Sequence, residues 1–72
     1  MTLVNWQVGQ SVTGRYCGIP YTGKLNQNSR NSPDYRNWIF GITLDSPIEV
    51  FGSERTSIEI WSNSESNTCE AL

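Results

Sequence analysis

Histidine is absent from this 72-residue chain, and cysteine occurs only as Cys17 and Cys69. Without histidine the chain cannot form a Ser-His or Cys-His catalytic pair. A zinc site would have to combine two thiolates with carboxylates, which is not a recognisable structural pattern. Two cysteines are also too few for the dense disulfide framework of a small secreted protein, although a single bridge between them stays open. We therefore expect free thiols, no metal and no cofactor.

Long apolar segments are missing as well. No window approaches the run of about 18 apolar residues that spans a membrane. The N-terminal stretch "MTLVNWQVGQ" has neither the basic flank nor the apolar core of a signal peptide. These features predict a cytoplasmic protein without a membrane partner.

The chain is short for a stable core. A domain of this size rarely gains more than about 3–5 kcal/mol from core packing alone. Because neither a disulfide framework nor a metal is expected, self-association is the favoured way to bury further area. We expect one domain over residues 1–61 and a flexible tail over residues 62–72, where the sequence "SNSESNTCEAL" is mostly polar.

Charged residues are few and unevenly distributed. The net charge is −2, yet residues 1–36 carry four basic and one acidic side chain, while residues 37–72 carry one basic and six acidic ones. This distribution allows one face to attract an anion. An ordinary solvated surface is the alternative.

Helical periodicity is lacking too, and bulky side chains instead alternate with polar ones, as in strands. The side chains predicted to point inward in the later half are Phe40, Ile42, Leu44, Ile48, Val50, Ile58 and Ile60. Turn-forming stretches, "CGIPY", "LDSPI" and "FGSERT", separate the runs. The sequence thus predicts five strands, at residues 10–17, 21–26, 38–44, 47–51 and 57–61.

Five short antiparallel strands are too few for two packed sheets. We therefore expect an all-β fold, a small and strongly bent five-stranded antiparallel barrel whose closure removes exposed edges. In "GRYCGIPYTGKL", the first predicted hairpin, Gly14, Gly18 and Gly23 would permit the sharp bends that such a sheet needs.

The stretches "VGQSV", "YTGKL" and "SIEIW" together resemble the strand pattern of SH3-like small β-barrels. In length and strand pattern the chain is also similar to plasmid type II dihydrofolate reductases, SH3-like barrels that form tetramers around a pore. That family contacts substrate and NADPH through a Val-Gln-Ile-Tyr strand, and Ile58-Glu59-Ile60-Trp61 stands in its place here. Because Glu59 would repel an anionic cofactor, the resemblance implies the fold and not the activity. An oligomeric pore enzyme of this kind is the remaining alternative.

Other catalytic constellations are weak. Cys17 lies two positions after Arg15, but a thiol without a base is typical of packing. Glu49 and Glu59 are both expected on the outer face of late strands, where carboxylates usually contact water. No glycine-rich stretch has the Gly-Lys-Ser/Thr ending of a phosphate-binding loop. We expect no catalytic residues and no enzyme.

The polar segment at residues 26–38 is the main candidate for a contact surface. We predict a non-catalytic binding or assembly module that recognises a protein partner, because rigid aromatic rings beside arginines anchor interfaces. The predicted patch consists of Tyr21, Arg30, Tyr35, Arg36 and Trp38. The small size, the acidic balance and the lack of a catalytic set also suit an accessory protein of a phage or another mobile element.

Two alternatives use the same surface. In the first, a nucleic acid binds through its phosphates to Lys24, Arg30 and Arg36, while neighbouring amides and aromatic rings contact bases. In the second, the chain associates with itself through Trp6 or Trp61.

Overall fold

The computed structural model describes residues 6–72, which form one antiparallel sheet of six strands without a helix. The strands are β1 (Ser11–Tyr16), β2 (Ile19–Leu25), β3 (Arg30–Asn31), β4 (Trp38–Val50), β5 (Ser53–Trp61) and β6 (Glu70–Ala71). The predicted all-β antiparallel fold is confirmed. Within these residues there is no helix of the length and apolarity that crossing a membrane requires.

The first hairpin joins β1 to β2 through Cys17 and Gly18. Both residues have positive φ, 52° and 81°, as a two-residue type I′ turn requires. The register runs from Ser11 opposite Lys24 to Tyr16 opposite Ile19. "GRYCGIPYTGKL" is therefore a hairpin, as its sequence predicts.

β4 organises the rest of the sheet. One of its edges pairs with β2, where Leu25 lies opposite Ile42, and then with β3, where Arg30 lies opposite Ile39. Its other edge pairs with β5. The short β6 lies on the far side of β1, where Val12 is opposite Ala71.

The prediction of separate strands at 38–44 and 47–51 is wrong, since one strand covers both. "LDSPI" does not reverse the chain. It forms an irregularity between Thr43 and Ile48 where pairing with β5 is interrupted. Pro47 lies inside this interruption, so its missing N–H removes no hydrogen bond of the ladder. The reversal comes later, at Phe51 and Gly52, whose φ values are 51° and 79°.

The predicted five-stranded closed barrel is not what the described residues form. The additional strands are β3 and β6, and the sheet over residues 6–72 stays open because β5 pairs with β4 alone. The flexibility of the tail at 62–72 stays a prediction, as does the boundary at residue 61. Part of this tail lies against β1, where the Thr68 N–H donates to the Arg15 carbonyl at 2.9 Å.

The core is built mainly from alternate side chains of β1, β2, β4 and β5. Its buried members are Val12, Tyr21, Leu25, Phe40, Ile42, Leu44, Ile58 and Ile60. Ile42 and Ile58 are direct neighbours across β4 and β5. Trp6 adds a ring at the periphery, 4.8 Å from the Phe40 ring and nearly perpendicular to it. The predicted inward side chains of β4 and β5 are thus buried, except that Ile48 is half-buried.

Candidate functional site

A groove of about 880 Å³ lies where β2 and β4 meet the residues after β2. We call it the polar groove. Its polar side chains include Lys24, Asn26, Asn28, Thr43, Asp45 and Ser57. Val8, which is exposed, adds an apolar side chain to the lining. The groove thus combines charge, amides and hydroxyls with one exposed apolar side chain, and ligand sites commonly combine polar and apolar groups.

Strand register places three of these side chains in one row. Lys24 of β2 lies opposite Thr43 of β4, and Thr43 lies opposite Ser57 of β5. Directly opposite residues of an antiparallel sheet share a face, and all three residues are exposed. The row Lys24–Thr43–Ser57 therefore crosses the solvent face of three neighbouring strands.

Asn26 fixes the wall of the groove. Its side-chain amide N–H donates to Thr43 Oγ1 at 3.1 Å, and its Oδ1 accepts the Asn28 backbone N–H at 2.9 Å. The Asn26 backbone N–H donates to the Gly41 carbonyl at 2.8 Å. This close approach needs glycine at position 41, because a Cβ there would lie 2.5 Å from Asn26 Oδ1.

Two ion pairs lie on this face. Lys24 Nζ is 3.3 Å from Asp45 Oδ1, and Arg30 donates to Glu59 Oε2 at 2.9 Å. About half of each side chain is exposed to water, and an exposed pair contributes only about 0–1 kcal/mol. A ligand that competes for Lys24 therefore loses little by displacing Asp45.

A second cavity, of about 460 Å³, continues the polar surface across β5. It shares Asn26, Asn28 and Ser57 with the polar groove. Arg55 and Glu59 extend it along the strand. Polar side chains thus cover a continuous part of the sheet's outer face.

One member of the predicted patch lies in the core. Tyr21, expected to point outward, is 4% exposed and belongs to the core. Its hydroxyl donates to the Thr68 carbonyl at 2.8 Å, and burial raises the pKa of this phenol. Of the other members, Arg30 faces Glu59 and Trp38 is half-buried against the core. The Trp38 indole N–H has no partner among residues 6–72.

The remaining predicted residues lie in a compact turn. The Tyr35 N–H donates to the Ser32 carbonyl at 2.9 Å, and the Arg36 N–H donates to Asp34 Oδ1 at 3.1 Å. The hydrogen bond from the Ser32 hydroxyl, assisted by that of Arg36, lowers the pKa of Asp34. Tyr35 itself is 80% exposed. Of the three predicted phosphate-binding cations, Lys24 and Arg30 are already ion-paired.

The other reactive groups do not assemble into a second site. Cys17 is an exposed residue of the β1–β2 turn, and Cys69 is half-buried, which raises the pKa of its thiol. Neither forms a disulfide. Glu49 lies opposite Glu54, not beside Glu59. No group of three or more His, Cys, Asp or Glu side chains that could hold a metal occurs in the described part of the chain.

Sequence reasoning finds Lys24 but misses its neighbours in the groove. Thr43 and Ser57 are the polar members of strands whose alternate residues are core isoleucines and leucines. That alternation assigns them to the outer face, and only the register shows that they meet. Asp45 falls in the turn predicted at "LDSPI". A residue in that turn would not lie on the strand beside Lys24, so the sequence does not indicate that Asp45 contacts the Lys24 ammonium.

Comparison with known proteins gives one family. The model of a family described as "Glyoxalase superfamily protein" matches residues 1–60. No curated protein and no solved structure matches the chain. The family match contradicts the resemblance to SH3-like barrels and type II dihydrofolate reductases. The same match contradicts the predicted function, recognition of a protein through the 26–38 loop, and its alternative, binding of a nucleic acid.

Proposed function

The chain belongs to this family of glyoxalase superfamily proteins, and on that premise we propose that it binds a small molecule with an anionic group in the polar groove. The anionic group lies against Lys24, and the rest of the molecule contacts the amides and hydroxyls beside it. The glyoxalase superfamily contains enzymes, but we propose binding without chemical conversion. We also place the protein in the cytoplasm.

The chemistry of Lys24 supports an anionic ligand. Its ammonium group has three donors and no acceptor, and Asp45 is 3.3 Å away on one side. The other two N–H groups have no acceptor within residues 6–72, so they can donate to oxygen atoms of a ligand. A carboxylate or phosphate is the group that such a cation binds best, since a charged hydrogen bond is about twice as strong as a neutral one.

The size and lining of the groove support a small ligand. Pockets for small molecules commonly measure about 300–1,000 Å³, and the polar groove measures about 880 Å³. Val8 offers an exposed apolar contact, while Asn26 and Asn28 offer amide donors and acceptors. A ligand with a charged end and a short carbon chain matches this arrangement.

The observation that carries the proposal is the fixed row of Lys24, Thr43 and Ser57. Each side chain comes from a different paired strand, so the spacing of the row is set by the sheet. Asn26 is held to Thr43 at 3.1 Å before any ligand arrives. Groups that are already in place cost less to order on binding.

Isothermal titration calorimetry with acetate, glycolate and inorganic phosphate tests the proposal. We expect at least one probe to bind, and Lys24→Gln to weaken it about tenfold, the loss of roughly one charged hydrogen bond. Arg36→Gln is the matched control, since Arg36 is basic but does not line the groove, and it should leave the affinity unchanged.

Two results would contradict the proposal. One is the absence of binding by all three probes up to about 10 mM, a free energy of roughly −2.7 kcal/mol. The other is equal weakening by Lys24→Gln and Arg36→Gln, which would reflect general attraction between charges. Proton NMR of the same samples checks for conversion, and we expect each probe to stay unchanged.

A further inference from the structure

One edge of β5 has no partner strand within the described range, residues 6–72. The strand is nine residues long, and among the described residues it pairs with β4 alone. The outer edge of β1 is different, because β6 and the Thr68 N–H cover it. A long uncovered edge is a template for another strand.

The sequence of β5 restricts which strand fits this edge. When a strand pairs antiparallel with its own copy about a twofold axis, the residue at the axis lies opposite itself. Ser57 is the middle residue of Ser53–Trp61, so an axis at Ser57 pairs the strand over its whole length. In the same register Arg55 of each copy lies opposite Glu59 of the other copy, so two such pairs form.

The neighbouring registers lack this match. An axis at Glu54 or Glu59 would place two carboxylates opposite each other, which is destabilising. An axis at Thr56 or Ile58 pairs fewer residues and sets no acid opposite a base. The register with the longest overlap is thus also the one with complementary charges.

Both charged residues have capacity for the contact. Arg55 forms no salt bridge with any residue from 6 to 72. Glu59 binds Arg30 through Oε2, and its Oε1 has no hydrogen-bond donor among residues 6–72, so it can accept from a second one. At the end of the strand, Trp61 is 43% exposed and would lie opposite Ser53 of the second copy.

We propose that the occupant of this edge is a second copy of the chain, paired antiparallel along β5 about a twofold axis at Ser57. The dimer has one continuous sheet across the two chains. Because Ser57 also lines the polar groove, the grooves of both chains lie beside the axis. The dimer does not depend on the ligand proposed for the groove, so either proposal can fail without the other.

Sedimentation velocity of the full chain over a range of concentrations tests the dimer with three proteins, the original and two variants. The first variant, Arg55→Glu, sets acidic side chains opposite each other at positions 55 and 59 across the axis. The second, Arg30→Glu with Glu59→Arg, sets basic side chains opposite each other at those two positions but keeps the ion pair within each chain in reversed order. We expect each variant alone to dimerise at least about tenfold more weakly than the original chain. Circular dichroism checks that both variants fold.

Mixing the two variants is the decisive step. In the mixed dimer each acidic side chain at positions 55 and 59 of one chain again lies opposite a basic one of the other chain. We therefore expect a dimer affinity within about threefold of the original. A chain that sediments as a monomer at all concentrations overturns the proposal. So does a variant that dimerises as well as the original, or a mixture that gains nothing. A monomer whose outer β5 amides resist hydrogen exchange would place another segment of this chain on the edge, and this too overturns it.

Discussion

Gly41 offers a direct test of how the wall of the polar groove is built. In Gly41→Ala the new Cβ would lie 2.5 Å from Asn26 Oδ1 and 2.8 Å from Asn28 Cβ. Ordinary contacts of a Cβ begin at about 3.4 Å. The Asn26–Asn28 segment must therefore move away from β4 by nearly 1 Å.

The cost follows from what this movement disturbs. Overpacking a close contact costs about 1–3 kcal/mol. The Gly41 backbone also accepts from the Asn26 N–H at 2.8 Å and donates to Ser29 Oγ at 3.0 Å, and each weakened hydrogen bond adds up to about 1 kcal/mol. We expect Gly41→Ala to lower the free energy of unfolding by about 2–4 kcal/mol. A chain of this length has a total of roughly 4–11 kcal/mol.

Urea unfolding followed by tryptophan fluorescence measures this loss, and a double-mutant cycle assigns it. Asn26→Ala removes the nearest atom, so Gly41→Ala should cost at least about 1 kcal/mol less in that background. A loss below about 0.5 kcal/mol for Gly41→Ala alone would refute the close approach of the segment to β4. An equal loss in both backgrounds would refute the role of Asn26.

Two further predictions concern stability. Phe51 is 93% exposed at a φ of 51°, a conformation in which asparagine before glycine is preferred. Phe51→Asn should therefore raise the free energy of unfolding by about 1 kcal/mol in urea, and a loss would contradict the turn assignment. Burial raises the pKa of the Cys69 thiol. The stability that the protonated Cys69 thiol contributes is therefore fully present below the ordinary thiol pKa of about 8.5, and it is lost as the pH rises above that value. The urea midpoint should fall between about pH 8 and 10, less so in Cys69→Ala, and a flat profile for the original chain would contradict the burial.

The alternation of side chains along each strand is enough to predict the all-β class and most of the core residues. Phe40, Ile42 and Leu44 alternate with smaller or polar residues, and the structure buries all three. Ile58 and Ile60 follow the same rule. A period of two is a property of each strand alone, so it needs no knowledge of the neighbours.

The errors arise where distant parts of the chain meet. Pro47 predicts a turn, because an interrupted pairing between β4 and β5 cannot be seen from one strand. Tyr21 is expected to be exposed, but Thr68 supplies a carbonyl for its hydroxyl from the far end of the chain. The strand β6 is missed for the same reason, since it forms only two residue pairs, both with the distant β1.

Neither the polar groove nor the family can be predicted from short stretches of the sequence. Lys24, Thr43 and Ser57 are far apart in sequence, and only the register of three strands brings them together. The stretches "VGQSV", "YTGKL" and "SIEIW" are short patterns shared by many small β proteins, so the fold-level resemblance that they suggest does not identify the family. A match that runs over residues 1–60 does.

Titration of ¹⁵N-labelled protein with acetate, glycolate and inorganic phosphate in turn tests the central claim most directly, because each backbone amide reports its own surroundings and at least one of the three probes should bind. The account predicts saturable shifts centred on Lys24, Asn26, Thr43 and Ser57, with Tyr35 and Arg36 unchanged. Shifts centred on residues 32–37, or none along the Lys24–Thr43–Ser57 row, would contradict it.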